Sequence, residues 1–268
     1  MNESVFSEAQ AAFLASAARR KRRVRACQIL FLAGFLALWE GAAALGLIDP
    51  FIFSSPSRIV LAAKELILSG ALFLHIGVTV WETVVGFTLG TIIGTGVAIL
   101  LWWNPFLNDA AQPYLVVLNS LPKTALAPIL IVWLGNTMSS IIATALLTSV
   151  VVTILSVLTG FLSVDPEKQK LILTFGGTKR QMFFAVVLPS SVPAIVNALK
   201  INVGLSFVGV MVGEFLVSKA GLGYLITYGS QIFKLDWVML SVVILAILSA
   251  LLYRIILLLE KQILRWRE

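Results

Sequence analysis

Cysteine and histidine each occur once in the 268 residues, as Cys27 and His75. One cysteine excludes an intramolecular disulfide framework. With one histidine it leaves no ligand set for zinc and no thiol–imidazole pair. No serine motif stands out either, so a membrane-embedded hydrolase finds no nucleophile constellation here. Charge is scarce as well: 12% of residues are charged and 59% are hydrophobic, against about 25% and about 45–50% in soluble domains. So little polar surface cannot cover a globule. The apolar runs do not alternate, which excludes a membrane β-barrel, and the basic run Arg19–Arg25 lacks a following small-residue cleavage site, so no secretory leader is read.

What remains is a chain of apolar blocks, each about 20 residues long, the length that crosses a bilayer as helix. The fold class is therefore all-α integral membrane, with six transmembrane helices expected over about 28–48, 76–101, 113–134, 139–161, 192–217 and 237–259. Residues 1–27 form a basic tail expected to be loosely ordered, 28–260 the membrane domain and 261–268 a second basic tail. Ser54-Ser55-Pro56-Ser57 reads as a helix start for a short interfacial helix. Gly86, Gly90 and Gly94 recur every fourth residue in the second span, where small residues let two helix backbones approach. Pro122 and Pro128 interrupt the third span, and Gly135-Asn136-Thr137 turns the chain after it.

Few ionisable groups lie inside these spans, and each is costly there. Lys123 stands between the two prolines of the third span. Lys200 and Glu214 sit near opposite ends of the fifth, roughly 21 Å apart at 1.5 Å per residue, so they cannot pair within it. These three are candidate pathway or gate residues, with interfacial snorkelling as the alternative. His75, Glu40 and Glu82 are read as boundary or structural residues.

The net charge of +7 reflects loop charge, not a nucleic-acid partner. With the N-terminus inside, fourteen of the twenty basic residues fall in inside segments and only Arg58, Lys64, Lys219 and Lys234 outside. That asymmetry places both termini and the polar segment at about 162–191 in the cytoplasm. This segment is too long and too structured for a plain connection. It carries a short amphipathic helix, the Gly176-Gly177 pair that stops it, and Leu188-Pro189 at the return to lipid. Leu171, Ile172 and Phe175 share a helix face, which fills either a groove on a soluble partner or a gap under the chain's own helices.

Gly176, Val186 and Leu188-Pro189 fall at the spacing of the cytoplasmic loop of ABC-importer permeases, although Lys170, Leu171 and Ile172 occupy the family's Glu-Ala-Ala positions. With Gly86-Phe87, Leu121-Pro122, Gly213-Glu214 and Gly221-Leu222-Gly223-Tyr224 in order, the chain resembles the permeases of the nitrate, taurine and aliphatic-sulfonate class from its first span onward. Glu82 stands where such relatives often carry a basic residue. The resemblance implies an ABC type I importer permease fold in a prokaryotic cell membrane. It also implies a second copy of the permease, two cytoplasmic ABC ATPase subunits and an extracytoplasmic solute-binding protein. ATP and Mg would belong to the ATPases, since this chain lacks Gly-x4-Gly-Lys-Ser/Thr and is read as neither an enzyme nor a cofactor protein. Lys170, Leu171, Ile172, Thr174, Phe175, Gly176, Gly177 and Thr178 then become the ATPase-coupling loop. A secondary transporter is the competing reading; it would show broken-helix repeats and more buried carboxylates.

Overall fold

The computed structural model of the chain describes residues 8–263. Among them every regular element is helical. Arg265 and Arg267 of the charge argument lie outside the described residues.

The contacts divide the chain at Ala62. In the first unit, α1 spans Glu8–Ala44, so from Glu8 onward the expected loose tail is helix instead. The reason is composition: Ala, Leu, Arg and Lys dominate this stretch and are the strongest helix formers. A tight turn leads to α2 (Pro50–Phe53), whose N-cap Asp49 accepts from the Phe51 N–H at 2.8 Å. The helix α3 (Pro56–Leu68) then begins where its serines and proline predict. Glu40 of α1 accepts from the Ser57 N–H at 2.9 Å and the Ser57 hydroxyl at 2.8 Å. A carboxylate at that N-terminus meets orphan N–H groups and the positive end of the helix dipole.

The second unit is built on α4 (Ala71–Trp103), α7 (Met138–Leu162) and α10 (Leu188–Val217). Their contacts run along small residues. A side chain at Gly86, Gly90 or Gly94 of α4 would collide with Ala145, Ser149 or Thr153 of α7, and one at Gly209 or Gly213 of α10 with Ala145 or Ile141. Close backbone approach of this kind lets dispersion hold helices together where lipid removes the hydrophobic drive. At one end Trp102, Phe161, Phe183, Val157 and Val187 form the apolar core. The helices α11 (Leu222–Gln231) and α12 (Leu235–Ile263) complete the unit.

Five helical stretches are long and apolar enough to cross a membrane unbroken: Phe13–Ala44, Ala71–Trp103, Met138–Leu162, Lys179–Val217 and Leu235–Gln262. The third expected span is not one helix. It is α5 (Pro105–Ser120), a 3₁₀ turn Lys123–Leu126 and α6 (Ala127–Leu134), bent by 88° at the break. Its start also differs, because 105–112 is helix and not turn: Asn104 Oδ1 accepts from the Leu107 N–H at 3.3 Å and Pro105 opens α5, a favoured cap pair. The break falls at Leu121, which precedes Pro122 and is extended (ψ 140°), because a following proline disfavours the α region.

Candidate functional site

Two regions collect the polar chemistry. The first is the segment between α7 and α10. Asp165 caps α8 (Pro166–Thr174) by accepting from the Glu167 N–H at 2.9 Å. At the other end Gly176 takes φ +78°, while Gly176 N–H donates to Leu173 O and Gly177 N–H to Ile172 O, both at 2.9 Å. This crossed pair is a Schellman stop, and it needs the left-handed residue that glycine supplies. A side chain on Gly177 would strike Ile172. Thr178 and Gln181 then cap one another, Thr178 N–H donating to Gln181 Oε1 at 2.7 Å and Gln181 N–H to Thr178 Oγ1 at 3.3 Å, and the short α9 (Lys179–Met182) begins.

A π-turn over Phe183–Val187 joins α9 to α10 and drives Phe183 inward, with ring centroids 4.9 Å from Trp102 and 5.5 Å from Phe161. Lys179 Nζ donates to Trp103 O at 2.6 Å and lies over the Trp102 ring. Both ends of α8 are thus set by backbone and caps, and its return is bolted to the end of α4.

The three apolar residues of α8 divide. Ile172 packs on the chain's own core, so it leaves the face it was expected to share. Leu171 and Phe175 stay out, 55% and 81% exposed, with Leu173 at 51%. Lys170 and Thr174 are exposed, and the Thr174 hydroxyl donates back to Lys170 O at 3.0 Å.

The second region lies at the opposite end of α7 and α10. Glu214 is 1% exposed. Its Oε1 accepts from the Thr79 hydroxyl at 2.7 Å, and its Oε2 from the Gly223 N–H at 2.5 Å and the Tyr224 N–H at 3.3 Å. It therefore satisfies orphan donors at the start of α11. Gly221, at φ +116°, lies so close to this carboxylate that a Cβ would overlap it. Its N–H donates to His75 Nδ1 at 3.0 Å, and the His75 ring stacks on Tyr224. Glu82, also 1% exposed, has its carboxyl beside that of Glu214.

The remaining candidates lie apart. Lys200 pairs with Glu260 of α12 at 2.7 Å, and Lys123 Nζ donates to Asn119 O and Oδ1, each at 3.3 Å, at the bend of the broken span. Lys200 and Glu214 are not brought together. Glu82 is the residue that sequence reasoning missed. Its signal was its place on the α4 stripe His75, Thr79, Glu82, Thr83, Gly86, Gly90, Gly94, all buried, where an acid is out of keeping. Among the described residues no cluster of three or more His, Cys, Asp or Glu could hold a metal.

A family model described as "Binding-protein-dependent transport system inner membrane component" matches residues 86–266. The chain is 32% identical over 240 residues to the formylaminopyrimidine transport permease protein ThiX of Halalkalibacterium halodurans, covering 89% of this chain and 95% of that protein. It is 29% identical to the putative aliphatic sulfonates transport permease protein SsuC of Bacillus subtilis, covering 90% and 87%. With the taurine transport system permease protein TauC of Escherichia coli the identity is 23%, over 82% of each chain. Among solved structures, an inward-facing form of the MetNI methionine ABC transporter superposes with a TM-score of 0.64 at 20% identity, over 73% of this chain and 97% of that one, a likeness of fold.

Proposed function

Because this chain belongs to the family of binding-protein-dependent transport system inner membrane components, we propose that α8 couples its solute pathway to cytoplasmic ATPase subunits. The chain is a multi-pass permease subunit of an ABC importer. In our reading it works as a pair of copies with two ATPases below and a solute-binding protein outside, ATP and Mg residing in the ATPases. Both termini and the 162–191 segment face the cytoplasm, and the broken α5–α6 pair counts as one of six passages.

The observation that carries this reading is the exposure of Phe175 at 81% on a helix whose two ends are rigidly capped. An aromatic held out on a stiff short helix is the geometry of a helix-in-groove anchor. When the ATPases close on ATP, their grooves draw the two α8 helices together. The bolt from Lys179 and Phe183 to the end of α4 passes that displacement into the bundle. Nucleotide and the loaded binding protein then bias two states of the pathway. The solute is a small organic or anionic compound of the kind its relatives are named for, which include a formylaminopyrimidine, aliphatic sulfonates and taurine.

Phe175→Asp tests the reading. The variant is expected to reach the membrane at normal levels but to lose co-purifying ATPase and ATP-driven uptake. Full uptake in that variant refutes the docking role.

A further inference from the structure

A cavity of about 220 Å³ opens beside the Glu82–Glu214 pair, between α4, the α6–α7 turn and the α10–α11 turn. Glu82, Asn136, Thr137, Ser218 and Lys219 are its polar lining, with Ile141 on its apolar wall. That volume is about seven times the share of one water in the liquid. The donors nearby are already committed: the Thr79 hydroxyl and the N–H groups of Gly223 and Tyr224 all go to Glu214. Glu82 Oε2 is buried and takes no hydrogen bond from any described group. A buried acceptor left without a donor is costly, and a carboxyl most of all.

We propose that this cavity is a solute subsite for an N–H donor, a protonated amine or an amino-heterocycle, with Glu82 Oε2 as its acceptor. The inference rests on the permease reading and narrows its solute class. A bare oxyanion such as a sulfonate fits poorly, because it would bring a third set of acceptors and a like charge against two adjacent carboxyl groups in a site largely closed to water. Lys219 at the exposed rim leaves room for a solute that carries an acceptor at its far end.

The experiment is calorimetric titration of the purified permease–ATPase complex, without binding protein, using an aminomethylpyrimidine hydrochloride and, separately, sodium ethanesulfonate. The amine is expected to bind saturably and ethanesulfonate neither to bind nor to compete. Glu82→Gln can still donate to Glu214 but loses the charge, and should weaken the amine by about tenfold or more, the effect of removing one charge-assisted hydrogen bond. Ile141→Trp, which fills the cavity from its apolar wall, should abolish binding while leaving Glu82 in place. Absence of amine binding, amine binding unchanged in both variants, or preference for ethanesulfonate overturns the proposal. So does binding that appears only in Lys219→Ala, since Glu82 would then have its counter-ion within the chain. ATP hydrolysis by the same preparations reports on α8 separately. A complex that assembles and hydrolyses ATP but ignores the amine sinks the subsite alone, whereas a permease that never retains ATPase sinks the coupling reading.

Discussion

Thr79 and Glu214 lie 135 positions apart in the chain, and their side chains meet at 2.7 Å. The same Thr79 hydroxyl accepts from the Leu222 N–H at 2.8 Å. One threonine thus ties α4 to α10 and to the first turn of α11, and Glu214 closes the loop between the last two. Every partner is a group that burial would otherwise strand, so the cluster acts as a unit.

Glu214→Ala should therefore destabilise the protein severely. It orphans the Thr79 hydroxyl and the N–H groups of Gly223 and Tyr224, at about 1–3 kcal/mol each, and leaves Glu82 beside a void. Glu214→Gln keeps an acceptor oxygen and should lose less than half as much. Thermal unfolding of the detergent-solubilised protein, followed by fluorescence, separates the two. Equal melting temperatures for Glu214→Ala and the parent would show the cluster to be ornamental.

The apolar blocks, the glycine stripe of α4 and the stop at Gly176 were legible because each is written in local pattern: run length, i+4 spacing, a glycine pair after a helix. The helix at 8–27 was missed because its basic run was weighed as charge and not as helix former. The bend at Leu121 was half read; proline marks a break, but its angle depends on neighbours that no local window contains. The face of Ile172 turned inward for a similar reason. At helical spacing it is adjacent to both Leu171 and Phe175, and only the position of α8 on the core decides which neighbour it leaves. The Glu82–Glu214 pair joins residues 132 positions apart by their numbering, beyond any periodicity, although the acid on a small-residue stripe was visible.

Gly209→Ala should cost about 1–3 kcal/mol, the usual penalty of overpacking. The added methyl carbon would stand 2.5 Å from Ala145 Cα, and backbone cannot swing aside as a side chain can. Gly96 on α4 meets nothing within 4 Å, so Gly96→Ala should be neutral or gain about 0.5–1 kcal/mol from helix propensity. Parallel melts of the two variants test whether close approach, and not glycine as such, sets the helix spacing.

Lys200 and Glu260 join α10 to α12 at 2.7 Å with side chains only 20% and 24% exposed. Reversing either charge alone, as Lys200→Glu or Glu260→Lys, sets like charges against each other and should lower yield and melting temperature. The double reversal should recover most of both, with a coupling energy of about 0.5–3 kcal/mol from the mutant cycle. If Lys200 instead serves the solute pathway, the double reversal will restore stability but not uptake. That split distinguishes a brace from a gate.

Gly176→Val isolates geometry from packing at α8. The glycine has φ +78°, and a Cβ placed on it would meet nothing within 4 Å, so valine suffers no clash there, only the left-handed backbone. That conformation costs an L-residue about 1–2 kcal/mol, and a β-branched side chain is the worst choice for it. The strain is relieved by unwinding the crossed bonds to Leu173 O and Ile172 O, which frees the end of α8 while the distant bundle stays intact. Global melting should therefore shift little, yet ATPase retention and uptake should fall together. Gly176→Asn, which tolerates the same conformation, should restore both. Retained coupling in Gly176→Val would mean that Phe175 finds its groove without a rigid stop behind it, and that the ordered turn follows docking instead of preceding it.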